Sequence, residues 1–84
     1  MPKQDHEAIC SEVARLLKEE RERQGVSLNS LAEQAGLSRQ TVTFIEQELR
    51  NPTLETLLRL TAALKIDLDK IILKARRRVG VIGK

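Results

Sequence analysis

The sequence predicts an all-α fold, a bundle of five helices, and three observations lead to that class. Apolar residues recur at three- and four-residue spacing in five separate segments, which is the pattern of amphipathic helices. Phe44 is the single aromatic residue, so the core must consist of Leu, Ile, Val and Ala side chains. Nothing in the pattern suggests several strands. With 84 residues, the chain has room for one domain around one small core.

The first two helices each have a capping residue, an apolar face and a glycine at the end. Asp5 is expected to cap helix one, which ends at Gly25. The inward-facing residues of helix one are Ile9, Val13, Leu16 and Leu17. Ser27 is expected to cap helix two, which runs from Leu28 to about Ala35 before Gly36. Asp and Ser suit these caps because their side-chain oxygens accept hydrogen bonds from the free amides of the first turn.

Helix three follows a serine and precedes a proline. It begins after Ser38 and runs from residue 39 to about residue 48. The pair Asn51 and Pro52 ends the helical pattern, because proline disfavours the helical conformation of the residue before it. Three apolar residues at helical spacing are expected to face the core: Val42, Ile45 and Leu49.

Helices four and five are separated by a short connection at Lys65 and Ile66. Thr53 is expected to cap helix four, and Asp67 is expected to cap helix five. The inward-facing residues of helix four are predicted to be Leu54, Leu57, Leu58, Thr61 and Leu64. The apolar residues of helix five are Leu68, Ile71, Ile72 and Ala75.

The stretch from Leu28 to Ile45, LNSLAEQAGLSRQTVTFI, predicts a helix-turn-helix. Ala32 must be small because the second helix of the pair crosses close to the first. Gly36 must turn the chain within a few residues, and a positive φ costs glycine least. Leu37 then fills the corner between the helices. Two helices at a steep angle on a short glycine turn can place the second one in the major groove of DNA.

The composition argues against catalysis, metal binding and membrane insertion. Cys10 and His6 are the single residues of their types, too few for an internal disulfide or a four-ligand zinc site. No glycine-rich phosphate loop or inward-facing carboxylate pair accompanies them. We therefore expect no enzyme, no metal and no cofactor. No apolar run could span a bilayer and no signal peptide pattern opens the chain, so we expect a cytoplasmic protein with no membrane partner.

Positive charge is concentrated at the C-terminal end of the chain. The whole sequence has fifteen basic and twelve acidic residues, a net charge of +3. Residues 70–84 contain six basic and no acidic residues, so residues 1–69 carry −3. We interpret residues 1–75 as the domain and residues 76–84 as a basic and apolar tail. The tail is either a solvated end or a non-specific clamp on phosphates.

The stretch RERQGVSLNSLAEQAGLSRQTVTFIEQELRNPTLETLLRLTAALKIDLDKII resembles the Xre, or lambda-repressor-like, helix-turn-helix family. The resemblance covers roughly residues 9–73, and LAEQAGLS, the IE pair, NP and LLRLTAAL lie at the family spacing. It implies a five-helix bundle that binds double-stranded operator DNA as a two-fold dimer. It also implies an ion pair between Arg21 and Glu46, which we interpret as structural, linking helix one to helix three.

The chain departs from the family pattern at three positions. Leu28 stands where the family usually has a glutamine, Glu48 where a glycine is common, and Phe44 where a polar or basic residue is usual. If the chain takes a positive φ at Glu48, a residue other than glycine costs on the order of 1 kcal/mol. A carboxylate at the edge of the DNA would also repel phosphate.

The face of helix three opposite the core carries the expected base-reading residues: Arg39, Gln40, Thr43 and Phe44. Gln40 can pair with adenine and Arg39 with guanine, while Phe44 offers an apolar edge to a thymine methyl. The alternatives are a solvated helix face for Gln40 and Thr43, a partial core position for Phe44, and a phosphate contact for Arg39. Residues bordering the helix ends are candidates for DNA backbone contacts: Ser38, Thr41, Gln47, Arg50, Asn51 and Thr53.

Three functions fit these features. The first is a transcriptional regulator that binds a palindromic operator as a homodimer. The second is an antitoxin, the same DNA-binding domain with a toxin protein as its main partner. The third is a helical adaptor that has lost DNA binding, as the acidic folded part and Glu48 would suggest. Dimerisation is expected through the apolar face of helix five and its end: Leu68, Ile71, Ile72 and Val79.

Overall fold

Five helices make up the computed structural model, which describes residues 3–80. They are α1 (Lys3–Arg23), α2 (Leu28–Ala35), α3 (Arg39–Glu46), α4 (Leu54–Leu64) and α5 (Leu68–Val79). The described part contains no strand, which confirms the all-α fold class. The helix boundaries differ at three ends. Asp5 lies in the first turn of α1 and is not its cap, α3 ends two residues before Glu48, and α5 continues to Val79.

Side-chain caps begin three of the helices, as the sequence predicts. Ser27, Ser38 and Thr53 have extended backbones, and each side-chain oxygen accepts a bond of 3.0–3.1 Å from the amide three residues later. Asp67 occupies the N-cap position of α5 with an extended backbone, as predicted, but its side chain makes no cap bond. Its carboxylate instead lies 3.3 Å from the Lys70 ammonium group.

The core is aliphatic and draws on all five helices. α1 packs mainly against α5, and α2 packs against α3 and α4. Burying a large aliphatic side chain fully contributes roughly 1.5–3 kcal/mol, so this cluster is the main source of stability. The buried cluster comprises Val13, Leu16, Leu17, Leu31, Ala32, Ala35, Val42, Ile45, Leu60, Leu64 and Ala75.

Three leucines that the sequence pattern places inward are exposed. Leu54 and Leu58 are 65% and 52% exposed because α4 turns Leu60, Thr61 and Leu64 toward the core instead. Leu49 is 70% exposed, because α3 ends at Glu46 and the helical spacing no longer applies beyond it.

The first three residues of the predicted basic tail belong to α5. Arg76, Arg77 and Arg78 form its last turn, before Gly80 ends the helix with a φ of 83°. The Arg78 guanidinium lies 3.3 Å from both Glu19 and Glu12 of α1, and the hydrogen bonds that it donates to these carboxylates raise its pKa. The backbone of these three arginines therefore belongs to α5, and α1 also holds the Arg78 side chain. Residues 81–84 of the predicted tail lie outside the described residues.

The Glu20 carboxylate near the end of α1 is linked to the end of α4 through the side-chain amide of Gln24. Glu20 binds the Arg23 guanidinium and accepts a bond of 2.8 Å from the Gln24 amide. The same amide donates to the carbonyl of Leu64, the last residue of α4, over 2.7 Å. The bonds from Arg23 and Gln24 lower the pKa of Glu20 from its ordinary 4.5 to about 2.

Within residues 3–80, no helix has the length and apolarity needed to cross a bilayer.

The lowered pKa of Glu20 makes stability depend on pH in acid. Its contribution is fully present above pH 4.5 and is lost as the pH falls toward about 2, because the folded state binds this proton less tightly. We expect Glu20→Gln to flatten the fall in melting temperature across this range, as measured by circular dichroism. Glu33→Gln, at an exposed carboxylate with no ion pair among residues 3–80, should leave the wild-type profile unchanged. Identical profiles for wild type and Glu20→Gln would contradict the prediction.

Candidate nucleic-acid interface

The turn between α2 and α3 depends on a left-handed glycine. Gly36 has φ 71° and ψ 33°, and its N–H bonds back to the end of α2. Arg59 of α4 reaches the same turn and donates to the Ala35 carbonyl over 3.4 Å. A Cβ atom on Gly36 would lie 2.9 Å from that guanidinium nitrogen. The left-handed backbone therefore favours glycine here, whereas the flexible Arg59 side chain could move away from an added Cβ atom. Leu37, which follows, is half-buried against the core.

The exposed face of α3 carries all four candidate base-reading residues. Val42 and Ile45 are buried on the opposite face, so the helix has a core side and an open side. Arg39 and Gln40 are exposed in the first turn, while Thr43 and Phe44 are half-buried one turn later. Among the side chains that the structure describes, those of residues 5–80, Arg39, Gln40 and Thr43 make no hydrogen bond or ion pair. Their donors and acceptors are therefore available to a partner.

Phe44 occupies an intermediate position between core and surface. The Arg50 guanidinium carbon lies 5.3 Å from the centre of its ring, within the range of a cation–π interaction. The amide of Leu49 donates to the Phe44 carbonyl over 2.9 Å, and this bond closes the end of α3. The exposed Leu49 side chain is thus held beside this helix end. The helical spacing predicted a core position for Leu49, because it assumes that the helix continues through residue 49.

Glu48 takes the left-handed conformation that the family pattern assigns to glycine, with a φ of 61°. Its carboxylate lies 3.7 Å from the Nε atom of Arg15 on α1. Arg15 also donates to Glu12 over 2.8 Å, so it faces two carboxylates. A cation beside Glu48 reduces the repulsion that this carboxylate would exert on phosphate. The pattern of the sequence did not indicate this pairing of distant residues.

The candidate DNA backbone contacts lie on both sides of α3. The Ser38 and Thr41 hydroxyls are 2.8 Å apart at its start. Thr53 donates to the Thr56 hydroxyl over 3.0 Å at the start of α4. This bond leaves the Thr56 O–H group free to donate outward, and sequence analysis did not single out that residue. The three remaining candidates are exposed after α3: Gln47, Arg50 and Asn51.

A partly buried ion pair anchors the end of α3 to α1. Arg21 donates from Nε and Nη2 to the two oxygens of Glu46, over 2.7 and 3.0 Å. Its Nη1 atom donates to the Val26 carbonyl over 2.8 Å. The side chains of Arg21 and Glu46 are 13% and 7% exposed. The hydrogen bonds to Glu46 raise the pKa of Arg21. This contact fixes the open face of α3 relative to the rest of the bundle.

A family model described as helix-turn-helix matches residues 17–71, which contain α2, α3, α4 and the start of α5. The chain belongs to the helix-turn-helix family. Its Xre, or lambda-repressor-like, branch is the one that the sequence resembles, and the five-helix fold agrees with it. Membership identifies the protein as a DNA-binding regulator of transcription and not an enzyme. A search of curated proteins gave no match.

Two solved structures are similar to this helix-turn-helix protein. One is SinR, the master regulator for biofilm formation, in complex with DNA. It shares 30% identity and a TM-score of 0.67, covering 71% of this chain and 97% of the SinR chain. The other is the hypothetical transcription factor NHTF from Neisseria. It shares 26% identity and a TM-score of 0.72, covering 99% of this chain and 90% of the other.

The four residues predicted to form a dimer interface are half-buried in the helix-turn-helix protein. Leu68 and Ile72 line an open groove between α4 and α5. Ile71 faces a different depression, together with Lys65, Lys70 and Lys74. Val79 is the last residue of α5. Ile71 therefore lines a different depression from Leu68 and Ile72, although Leu68 and Ile71 are only about 60° apart around α5. The four predicted dimer-interface residues are Leu68, Ile71, Ile72 and Val79.

We expect Arg21→Ala to lower the free energy of unfolding by about 3–5 kcal/mol, because it strands the Glu46 carboxylate in a partly buried site. The double change Arg21→Met with Glu46→Leu should recover much of this loss, since it removes both charges. Urea denaturation measures both effects. Lys18→Ala, at an exposed lysine of α1, is the control and should be nearly neutral. A nearly neutral Arg21→Ala variant would show that the pair contributes little.

Proposed function

We propose that the protein binds a palindromic DNA operator as a homodimer, with α3 as the recognition helix. One observation carries this proposal: the first turn of α3 presents Arg39 and Gln40 to solvent, and neither side chain has a partner among the described side chains of residues 5–80. The first turn of a recognition helix is the part that reaches base edges best. The likeness to SinR, whose structure contains DNA, supports the same use of this fold.

Each exposed residue of α3 has a chemical role in this proposal. Gln40 donates to and accepts from the major-groove edge of adenine, and Arg39 donates two bonds to guanine. Thr43 contacts the next base, and the ring edge of Phe44 packs against a thymine methyl. The Arg50 contact with Phe44 supports this placement, because it fixes the ring at the surface of the helix.

Residues at the helix ends contact the DNA phosphates and set the register of the protein. The hydroxyls of Ser38, Thr41 and Thr53 already take part in caps, and such groups can also bind a phosphate oxygen. Arg50 adds a positive charge after α3. Phosphate contacts of this kind give affinity for every sequence, whereas the base contacts give specificity. The proposed backbone set is Ser38, Thr41, Gln47, Arg50, Asn51 and Thr53.

The homodimer forms through the groove between α4 and α5. The groove has a volume of about 540 Å³ and a mainly apolar lining. Leu58 exposes a large apolar surface on its α4 side, and Ile72 lies on its α5 side. Leu54 is a second exposed leucine of α4, outside the groove lining. A continuous exposed apolar surface is typical of an interface, and a two-fold dimer would cover the same surface on both copies. The interface thus includes α4, which the sequence pattern placed in the core.

The antitoxin and adaptor functions stay predictions. No contact among residues 3–80 favours a toxin protein as partner. The adaptor hypothesis rests partly on the repulsion expected from Glu48, and the Arg15 guanidinium 3.7 Å away weakens that argument.

We expect Leu58→Glu to shift the protein from dimer to monomer, because it places a charge in the lining of the apolar groove. Ile72→Asp should also shift the protein from dimer to monomer, although the Ile72 side chain packs against the core as well. Sedimentation equilibrium at micromolar concentration measures the change in mass. Leu49→Glu, at an exposed leucine outside the groove, is the matched control and should sediment as the wild type does. A wild type that stays monomeric would contradict the homodimer.

We expect Gln40→Ala to relax base preference at one position of each half-site by roughly 1–3 kcal/mol, with little change in salt dependence. Arg50→Gln should instead weaken binding to all sequences and reduce the salt slope by about one. Selection from random duplexes followed by titrations at several salt concentrations measures both effects.

Arg77→Gln serves as the control for Arg50→Gln, because Arg77 is an exposed arginine of α5. It should change neither the specificity nor the salt slope if the basic end of α5 is merely solvated. A smaller salt slope for Arg77→Gln would instead indicate a phosphate clamp. If the wild type enriches no palindromic site, the proposed operator binding is wrong.

A further inference from the structure

One face of α5 carries an acid and a base two helical turns apart, with apolar residues between them. Asp69, Ile72, Leu73 and Arg76 project within an arc of about 100°, given 3.6 residues per turn. Ile72 lines the groove between α4 and α5, and Leu73 is 39% exposed. Ala75 is fully buried on the other side of the helix. This open face therefore has an apolar centre and charged ends of opposite sign.

Neither charge on this face has an ion-pair partner among the described side chains of residues 5–80. Asp69 is exposed and lines the end of the groove. Arg76 is half-buried, and its Nε atom is buried without a hydrogen-bond partner. Its neighbour Arg78, in contrast, pairs with two carboxylates of α1. Arg76 is only half-buried, so an external carboxylate can approach the part of the unpaired guanidinium that stays open to solvent.

We propose that α5 pairs with α5 of a second copy in antiparallel orientation, with Asp69 of each copy bonded to Arg76 of the other. The proposal rests on the homodimer proposed above and specifies its register. If the two-fold axis passes between Ile72 and Leu73, position 69 of one helix faces position 76 of its partner. The two ion pairs then flank the apolar centre, separated along the helix by about 10.5 Å.

Charge complementarity selects this arrangement over the parallel one. In a parallel pair, equal positions meet, so Asp69 would face Asp69 and Arg76 would face Arg76. Like charges opposed at an interface are strongly unfavourable, and they oppose that pairing at both ends of the helix. The antiparallel pair converts the same four charges into two attractive contacts. It also supplies acceptors to the Arg76 guanidinium groups.

The test uses two full-length variants, Asp69→Arg and Arg76→Asp, each measured alone and in an equimolar mixture. Alone, each variant opposes like charges at both ends and should self-associate at least about tenfold more weakly than the wild type. In the mixture, a copy with two positive residues meets a copy with two negative ones. We expect a heterodimer of nearly wild-type affinity, detected by sedimentation and by native mass spectrometry.

The double variant Asp69→Arg with Arg76→Asp should dimerise with itself, because it exchanges the two charges. Arg77→Asp is the matched control, since this arginine lies off the proposed face and should leave the dimer unchanged. If Arg76→Asp does not fold, as judged by circular dichroism, Asp69→Asn and Asp69→Arg provide the second test. Self-association should then be strongest for the wild type, weaker for Asp69→Asn and weakest for Asp69→Arg. Added salt should reduce the differences in dimer affinity among the three proteins.

The outcomes separate the register from the homodimer itself. A wild type that is monomeric at every concentration would overturn both. A wild-type dimer whose charge variants show no preference for the heterodimer, or for the salt-sensitive order, would overturn the register alone. The homodimer through the α4 and α5 groove would then remain, with another pairing of the helices.

Discussion

The contact between Arg21 and Glu46 is the constraint on which the orientation of the recognition helix depends. α3 has only eight residues, and an isolated helix of that length is not stable in water. Its place is set by buried side chains on one face and by this ion pair at its end. The guanidinium also bonds to the Val26 carbonyl, so one side chain joins α1, the loop before α2 and α3.

Partial burial of that ion pair makes it specific as well as stabilising. Charges removed from water lose solvation, and the loss is recovered only when geometry and hydrogen bonding are good. Here Nε, Nη1 and Nη2 of the guanidinium each donate a bond, and both carboxylate oxygens accept one. A rotated or shifted α3 would leave these groups unpaired. The penalty for such misplacement therefore exceeds the gain from the contact itself, which favours a single orientation of the open face.

Local patterns in the sequence were sufficient for the helices and most of their caps. Helical spacing, capping residues and Gly36 act over a few neighbouring residues, and the structure agrees with them. The prediction that Leu54 and Leu58 face the core was wrong. Helical spacing gives the apolar side of a helix, but not how far that side turns into the core. The prediction that Leu49 faces the core was wrong because the left-handed conformation of Glu48 ends the helical pattern before Leu49. Arg15 with Glu48, and Arg78 with Glu12 and Glu19, join distant segments that no local pattern connects.

The same division applies to the candidate site. The residues of the first turn of α3 follow from the helix-turn-helix pattern and from the spacing of Val42 and Ile45. The α4 side of the groove could not be predicted, since it follows from the packing of α4 against α2 and α5. Arg21 and Glu46 are far apart in the sequence, so no local pattern could indicate that they pair. The resemblance to a known family indicated this pair instead. Their close geometry is a property of the folded chain alone.

The place of Phe44 has a spectroscopic consequence. The sequence contains no Trp or Tyr and one Phe, so a single ring accounts for the aromatic signal of the protein in the near ultraviolet. That ring lies half-buried on the open face of α3, under the Arg50 guanidinium. Near-ultraviolet circular dichroism of the free protein thus reports the surroundings of one side chain at the candidate interface, with no label and no background from the core.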